Sequence, residues 1–358
     1  MDSNSSHGEP SPKALIRSDI WFADGNIVLI AGCAAFKVHR GQLERHSEVF
    51  HDLFSVPQPV HQSLMDGCPS VELYDRPSDL HHLLIALYDG LYFPKHVAAD
   101  FYAVSSVLRL STKYFIERLR RRCLVRLARD WPISLAEWDR RENDATDSMG
   151  RYHPRKIFPH PILMLQLAFE LNLDAFLPGA FYDLSRYSPR EVFTGTRGPP
   201  PIYNTEGEGD GELQGQLTRL SDEHLYQTFS CRENAQHYIH TFLETALSDR
   251  PSAHCQNEGL SGSMDCSESF YFIHLNVLRS VGGIAYGRDA DPLHTLQQAV
   301  EMLERTDFSD GVRTCALDMC AVCKADFTET VRKARLEVWE LIPEWIGLRE
   351  PKSMEDTD

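Results

Sequence analysis

The stretch from Ser18 to Phe54, SDIWFADGNIVLIAGCAAFKVHRGQLERHSEVFHDLF, constrains the fold more than any other part of the chain. Ile20, Trp21 and Phe22, then Asp24-Gly25-Asn26, then Ile27 to Ile30, read as two strands joined by an Asp-Gly hairpin turn. A third strand is expected at Ala35 to Val38. Beyond it the period changes from strand to helix, because Leu43, Ser47, Phe50 and Phe54 recur at spacings of four and three and so share one helical face. Ser47 is placed to cap the second of two short helices.

A hairpin followed by F-x-V-H-R-x-x-L-x-x-x-S-x-x-F, carried here by Asp19, Phe36, His39, Arg40, Leu43, Ser47 and Phe50, resembles the opening of a BTB (POZ) domain. The likeness continues through Val71-Glu72-Leu73 and Leu80 to Leu91, and ends with the paired helices near Phe101 to Arg129. More narrowly, DGNIVLIAG, VHRGQLERHSEVFHDLF and LIALYDG are similar to the BTB proteins abundant in basidiomycete fungi. The resemblance implies an α+β fold, a small sheet with surrounding helices, and a role in protein binding rather than chemistry. It also implies a charged surface pocket lined by residues equivalent to Asp19 and Arg40, beside His39. Read as residues alone, Asp19 and Arg40 pair to fix the first helix against the sheet, and His39 is a structural donor.

The remainder of the 358 residues is long enough for a second core. The expected organisation is a disordered tail over 1–13, a BTB domain over 14–132, a charged, proline-containing linker over 133–161, a mainly α-helical C-terminal domain over 162–350 and a disordered tail over 351–358. Within the helical domain the Gly-, Pro- and acid-rich stretch 195–215 reads as a disordered excursion. The last helix is expected to bury Phe327, Val331, Ala334, Val338, Leu341 and Trp345. Only Ala14, Leu15 and Ile16 could pack ahead of Asp19, whereas BTB proteins that exchange segments in dimers carry a longer helix and strand there. A monomer or weak dimer is therefore expected.

Composition narrows the function. A formal charge of −16 opposes general affinity for nucleic acid, and six arginines between Arg118 and Arg129 read as the solvated face of an amphipathic helix. No apolar run is long enough to span a membrane, and the polar N-terminus lacks the apolar core of a signal peptide, so a cytoplasmic or nuclear protein is expected. No nucleophile-base pair, phosphate loop or paired-acid motif stands out. The leading expectation is a non-enzymatic scaffold or adaptor with protein partners. Its rivals are a substrate-recruiting adaptor of a cullin-type ubiquitin ligase, a transcription-associated regulator, and an enzyme built around His237 and His240. In cullin-recruiting BTB proteins an apolar-x-Glu motif lies in the loop occupied here by Leu64-Met65-Asp66, where Asp replaces Glu.

In a reducing compartment, clustered cysteines read as metal ligands or core fillers rather than disulfides. Cys320 and Cys323 form C-x-x-C, a spacing that lets two thiolates from one chain turn reach one zinc ion. Cys255 and Cys266, which bracket a Gly/Ser-rich loop, are the expected second pair. Cysteines in a similar place are also a habit of the fungal BTB proteins. Cys315 can replace either of the second pair, and His254 is an adjacent alternative. The competing reading is that the thiols are small apolar residues at a helix start.

Overall fold

The computed structural model describes residues 15–56, 64–91, 96–200, 202–203, 215–247, 250, 253–257, 266–281, 288, 291–305, 308–309, 314–315, 317 and 319–349. The chain divides into two compact units, one of Met1–Asp130, Asp144–Pro159 and Arg197–Leu217, the other of Trp131–Asn143, His160–Thr196 and Thr218–Asp358.

The first unit is built on a five-stranded sheet of order β1-β3-β2-β5-β4, comprising β1 (Ile16–Trp21), β2 (Ile27–Ala31), β3 (Ala34–Val38), β4 (Leu64–Met65) and β5 (Cys68–Leu73). Around it lie α1 (Arg40–His46), α2 (Glu48–Ser55), α3 (Pro77–Tyr88), α4 (Asp100–Lys113) and α5 (Glu117–Asp130). The two central strands are apolar along almost their whole length. Every residue of β3 is buried, as strands covered on both faces require. Lys37 is the exception in chemistry though not in burial: its ammonium sits 2.9 Å from Asp66 in the β4–β5 turn.

The Asp24-Gly25 turn does not close a hairpin. β1 runs parallel to β3, and the antiparallel partner of β3 is β2, joined to it through Gly32 at φ 53°. An Asn-Gly-type hairpin turn needs positive φ at both central residues, and neither Asp24 nor Gly25 has it. Gly25 is required instead by crowding, since a Cβ there would lie 2.9 Å from Lys37 Cγ and 3.1 Å from the Val38 carbonyl oxygen. The loop expected at Leu64-Met65-Asp66 contains the β4–β5 hairpin, turned by Asp66 at φ 51° and Gly67 at φ 75°.

The helical period read from Leu43, Ser47, Phe50 and Phe54 is realised as α1 and α2, with all four side chains buried. Ser47 Oγ accepts from the Phe50 N–H at 3.1 Å, capping α2, and donates to the Tyr114 carbonyl at 2.6 Å, so one hydroxyl ties α2 to the end of α4. Ser47→Ala is expected to destabilise the first unit by about 1–3 kcal/mol, the sum of a lost cap and an orphaned buried acceptor. Hydrogen exchange of the full chain will show it as faster exchange across α2; unchanged protection there contradicts the assignment.

The second unit is mainly helical. Its helices are α6 (Leu135–Asp144), α8 (Pro161–Leu171), α9 (Leu177–Ser185), α10 (Pro189–Thr194), α11 (Asp222–Phe242), α12 (Cys266–Val281), α13 (Pro292–Glu301) and α14 (Ala321–Trp345). The short α7 (Pro154–Ile157) belongs to the first unit, and four two-residue strands complete the order: β6 (Thr196–Arg197), β7 (Leu217–Thr218), β8 (Phe308–Ser309) and β9 (Thr314–Cys315). α8 is apolar nearly all round and is stopped by Asn172 in the left-handed conformation at φ 54°. α11 and α14 are joined by Tyr238 to Glu337 at 2.7 Å and by Ser230 to the Trp345 carbonyl at 3.0 Å. No helix is long and apolar enough among the described residues to cross a membrane.

Within the 133–161 stretch, expected as a charged, proline-containing linker, α6 buries Trp138, Arg141 and Glu142. The Arg141 guanidinium lies 2.6 Å from Glu142 and 2.8 Å from Asp183. Arg186 lies 2.9 Å from Glu142 and 2.7 Å from Asp291, and also bonds Asp183, while the Tyr182 hydroxyl donates to Asp291. The Trp131 and Trp138 rings flank Arg141 with centroids 5.0 and 4.6 Å from its Cζ. The two guanidiniums face three carboxylates, and Arg288, 3.8 Å from Glu142, brings a third cation, which is how a hydrophilic segment becomes a buried helix. Of the 195–215 excursion, residues 201 and 204–214 lie outside the described residues, as do the two expected terminal tails.

Candidate metal centre

α12 begins at Cys266, and α14 begins just after Cys320, which serves as its N-cap in an extended conformation. Phe270, one turn past Cys266, and Phe327, one turn past Cys323, meet edge to face with centroids 5.5 Å apart. Residues at i and i+4 stack on one helical face, so this aromatic contact also brings the helix starts together. Cys323 sits in the first turn of α14, on the face of its own cap. Cys255 arrives from the short described segment at 253–257.

The outcome is a cluster of Cys255, Cys266, Cys320 and Cys323 whose sulfurs all lie within 4.8 Å of one another. All four are thiols rather than disulfide halves. Cys266, Cys320 and Cys323 are buried and Cys255 is half-buried. A tetrahedron of sulfurs about 2.3 Å from a zinc ion has edges of about 3.8 Å, so a small contraction closes the set. The four residues fit a structural metal site of the closed kind, with no position left open for a reacting water.

The backbone is arranged for sulfur with negative charge. Cys320 Sγ accepts N–H groups from Cys323 at 3.4 Å and Gln256 at 3.5 Å, and Cys320 N–H donates to Cys266 Sγ at 3.3 Å. Burial alone would raise the Cys320 thiol, but the Gln256 and Cys323 N–H groups hold it down, to about 6. Burial pushes the Cys266 thiol up. A cation at the centre would supply the charge that lets both exist as thiolates. Beside the cluster, Arg250 pairs with Asp326 and covers the Phe270 and Phe327 rings, with centroids 5.7 and 5.8 Å from its Cζ.

The structure thus brings together the four cysteines singled out from the sequence. His254 is exposed and outside the cluster, and the side chain of Cys315, whose backbone forms β9, lies outside the described residues. His240 faces Glu244 at 3.3 Å on an exposed helical face and joins no metal-binding group with His237 among the described residues.

The residues expected at the charged pocket of the first unit are held separately. Asp19 bonds His81 at 2.9 Å, not Arg40. Arg40 bonds Glu44 at 2.7 Å and the Phe54 carbonyl at 2.9 Å, and His39 lies 2.9 Å from the Tyr88 hydroxyl and 3.2 Å from Asp24. The Asp19–Arg40 pairing read from the sequence is corrected accordingly: α1 points Arg40 along its own helix to the i+4 acid, a shorter reach than β1. Two groups had no signal in the sequence. One is the buried Arg141–Arg186 network, and the other is Tyr203, whose hydroxyl reaches Ser18 at 2.7 Å. No protein-family model and no curated protein matches this chain.

Proposed function

We propose that this chain is a non-enzymatic interaction adaptor, with an N-terminal unit of BTB (POZ) type that engages protein partners and a helical unit stapled by one structural zinc ion. The reading is carried by how the motif series builds the first unit. Phe36 fills the centre of the sheet, Leu43 and Phe50 seat the two short helices, and Ser47 links them to α4. The zinc is supported by four convergent sulfurs and by the backbone N–H groups aimed at them. Cytoplasmic or nuclear residence follows from a site that needs reduced thiols.

The cullin-ligase reading has less support, because Asp66, which stands where that motif has Glu, is engaged by Lys37 at 2.9 Å. Exposed apolar side chains on the first unit, including Leu64 at 67% and Tyr74 at 93%, are the surface on which partners are expected to dock. Affinity capture with the full chain from its native extract is expected to recover defined protein partners. Leu64→Arg with Tyr74→Arg should lower that recovery by about tenfold while the melt is unchanged. Partners indifferent to every substitution on the first unit would contradict the proposal. Binding of a cullin N-terminal domain at tens of micromolar or tighter, on the order where transient interfaces register, would instead select the ligase reading.

A further inference from the structure

Asp19 is the only acid of β1 and is largely exposed, yet its surroundings are closed from an unexpected direction. Tyr203, distant in sequence, sets its ring edge to face against Phe36 and His81, with both centroid separations at 5.7 Å. Its hydroxyl lies 2.7 Å from Ser18 Oγ and 3.4 Å from the Asp19 carboxylate. The preceding residue adds a backbone contact, the Ile202 N–H donating to Ser78 Oγ at 3.3 Å.

The groups that receive Tyr203 form a built pocket. Phe36, Ser18 and His81 are buried, the first fully, and supply an aromatic floor with a polar rim. Asp19 accepts from the Ser18 hydroxyl at 2.9 Å and from His81 Nε2 at 2.9 Å, so its carboxylate is already oriented when the phenol arrives. His81 Nδ1 is buried without a hydrogen-bond partner among the described residues, so a proton on Nε2, directed at Asp19, leaves the polar side of the ring fixed. A phenol matches this arrangement because it brings an apolar ring and one hydroxyl.

We propose that the Ser18–Asp19–Phe36–His81 pocket is a recognition site for the tyrosine of a peptide, and that Tyr203 is its resident occupant, competing in cis with a partner segment of the same chemistry. The contact is one side chain and a few hydrogen bonds, so it holds through tethering rather than through intrinsic strength, and a partner presenting tyrosine after proline displaces it. Phosphate on the Tyr203 oxygen would add nearly two negative charges beside Asp19 and expel the ring. The proposal stands on the pocket alone and holds whether or not the first unit belongs to the BTB family.

The test is fluorescence anisotropy with a labelled peptide of residues 198–208, GPPPIYNTEGE, titrated with the full chain. The Tyr203→Ala chain is expected to bind it, and the parent chain to bind at least about tenfold more weakly, as a site that is mostly occupied must. Tyr203→Phe, which keeps the ring contacts and loses the hydroxyl, is expected to fall between them. Adding Asp19→Ala to Tyr203→Ala, or phosphorylating the peptide, should abolish binding. Equal binding by parent and Tyr203→Ala chains, no binding by either Tyr203 variant up to about 1 mM, or undiminished binding of the phosphopeptide would overturn the proposal. Partner capture through Leu64 and Tyr74 is independent of these outcomes, so the two failures are distinguishable.

Discussion

Replacing Cys320 and Cys323 together by serine is expected to unfold the junction of α12 and α14 and to leave the five-stranded sheet unit folded. Three of the four clustered sulfurs are buried, and two are tied to backbone N–H groups at the start of α14. Zinc binding contributes on the order of 10 kcal/mol or more to folding in small zinc domains, a large amount against the usual stability of about 5–15 kcal/mol. A strong chelator should reproduce the effect of the double substitution. Hydrogen exchange read separately over α2–α4 and α12–α14 is the measurement: loss of protection confined to the second pair is expected. Full protection of α14 in the serine variant would mean that the thiols are only small buried groups.

The second large effect is predicted at Arg186. Its guanidinium is almost fully buried and serves Glu142, Asp183 and Asp291 together. Arg186→Met leaves three carboxylates short of a partner in a core that cannot hydrate them, and is expected to cost the second unit about 3–5 kcal/mol. The same network makes that unit acid-sensitive. Burial would raise the Glu142 carboxyl, but Arg186 and Arg141 hold it below its ordinary value. A depressed carboxyl stabilises the fold fully above the unfolded-chain value of about 4.5, and that contribution disappears as pH falls through the lower folded value. The urea concentration needed to unfold the parent chain should therefore fall below pH 4.5. A variant within about 1 kcal/mol of the parent would show the network to be dispensable.

What the sequence made legible was local. Leu43, Ser47, Phe50 and Phe54 announced α1 and α2 because helical spacing and a capping serine are properties of neighbours in the chain. The cysteines were legible for a related reason: few residue types bind metal, so C-x-x-C and a second pair need only one domain in common. Pairing across distance was not legible. The Asp24-Gly25 turn looked like a hairpin, but the pairing shows that β1 passes β2 to lie parallel to β3. Arg141 and Glu142 fell in a stretch read as a charged linker, because their partners Asp183, Arg186 and Asp291 are far along the chain. On α14 the four-three pattern pointed to Leu341, whereas Ile342 is buried.

Native mass spectrometry of the full chain, purified without chelator or added metal, tests the proposed metal site of the helical unit in one step. The expected result is one zinc ion per chain, lost in the Cys320→Ser, Cys323→Ser variant and retained when Cys231, a buried thiol outside the cluster, is replaced by alanine. A metal-free chain that keeps α12 and α14 protected from exchange would contradict it.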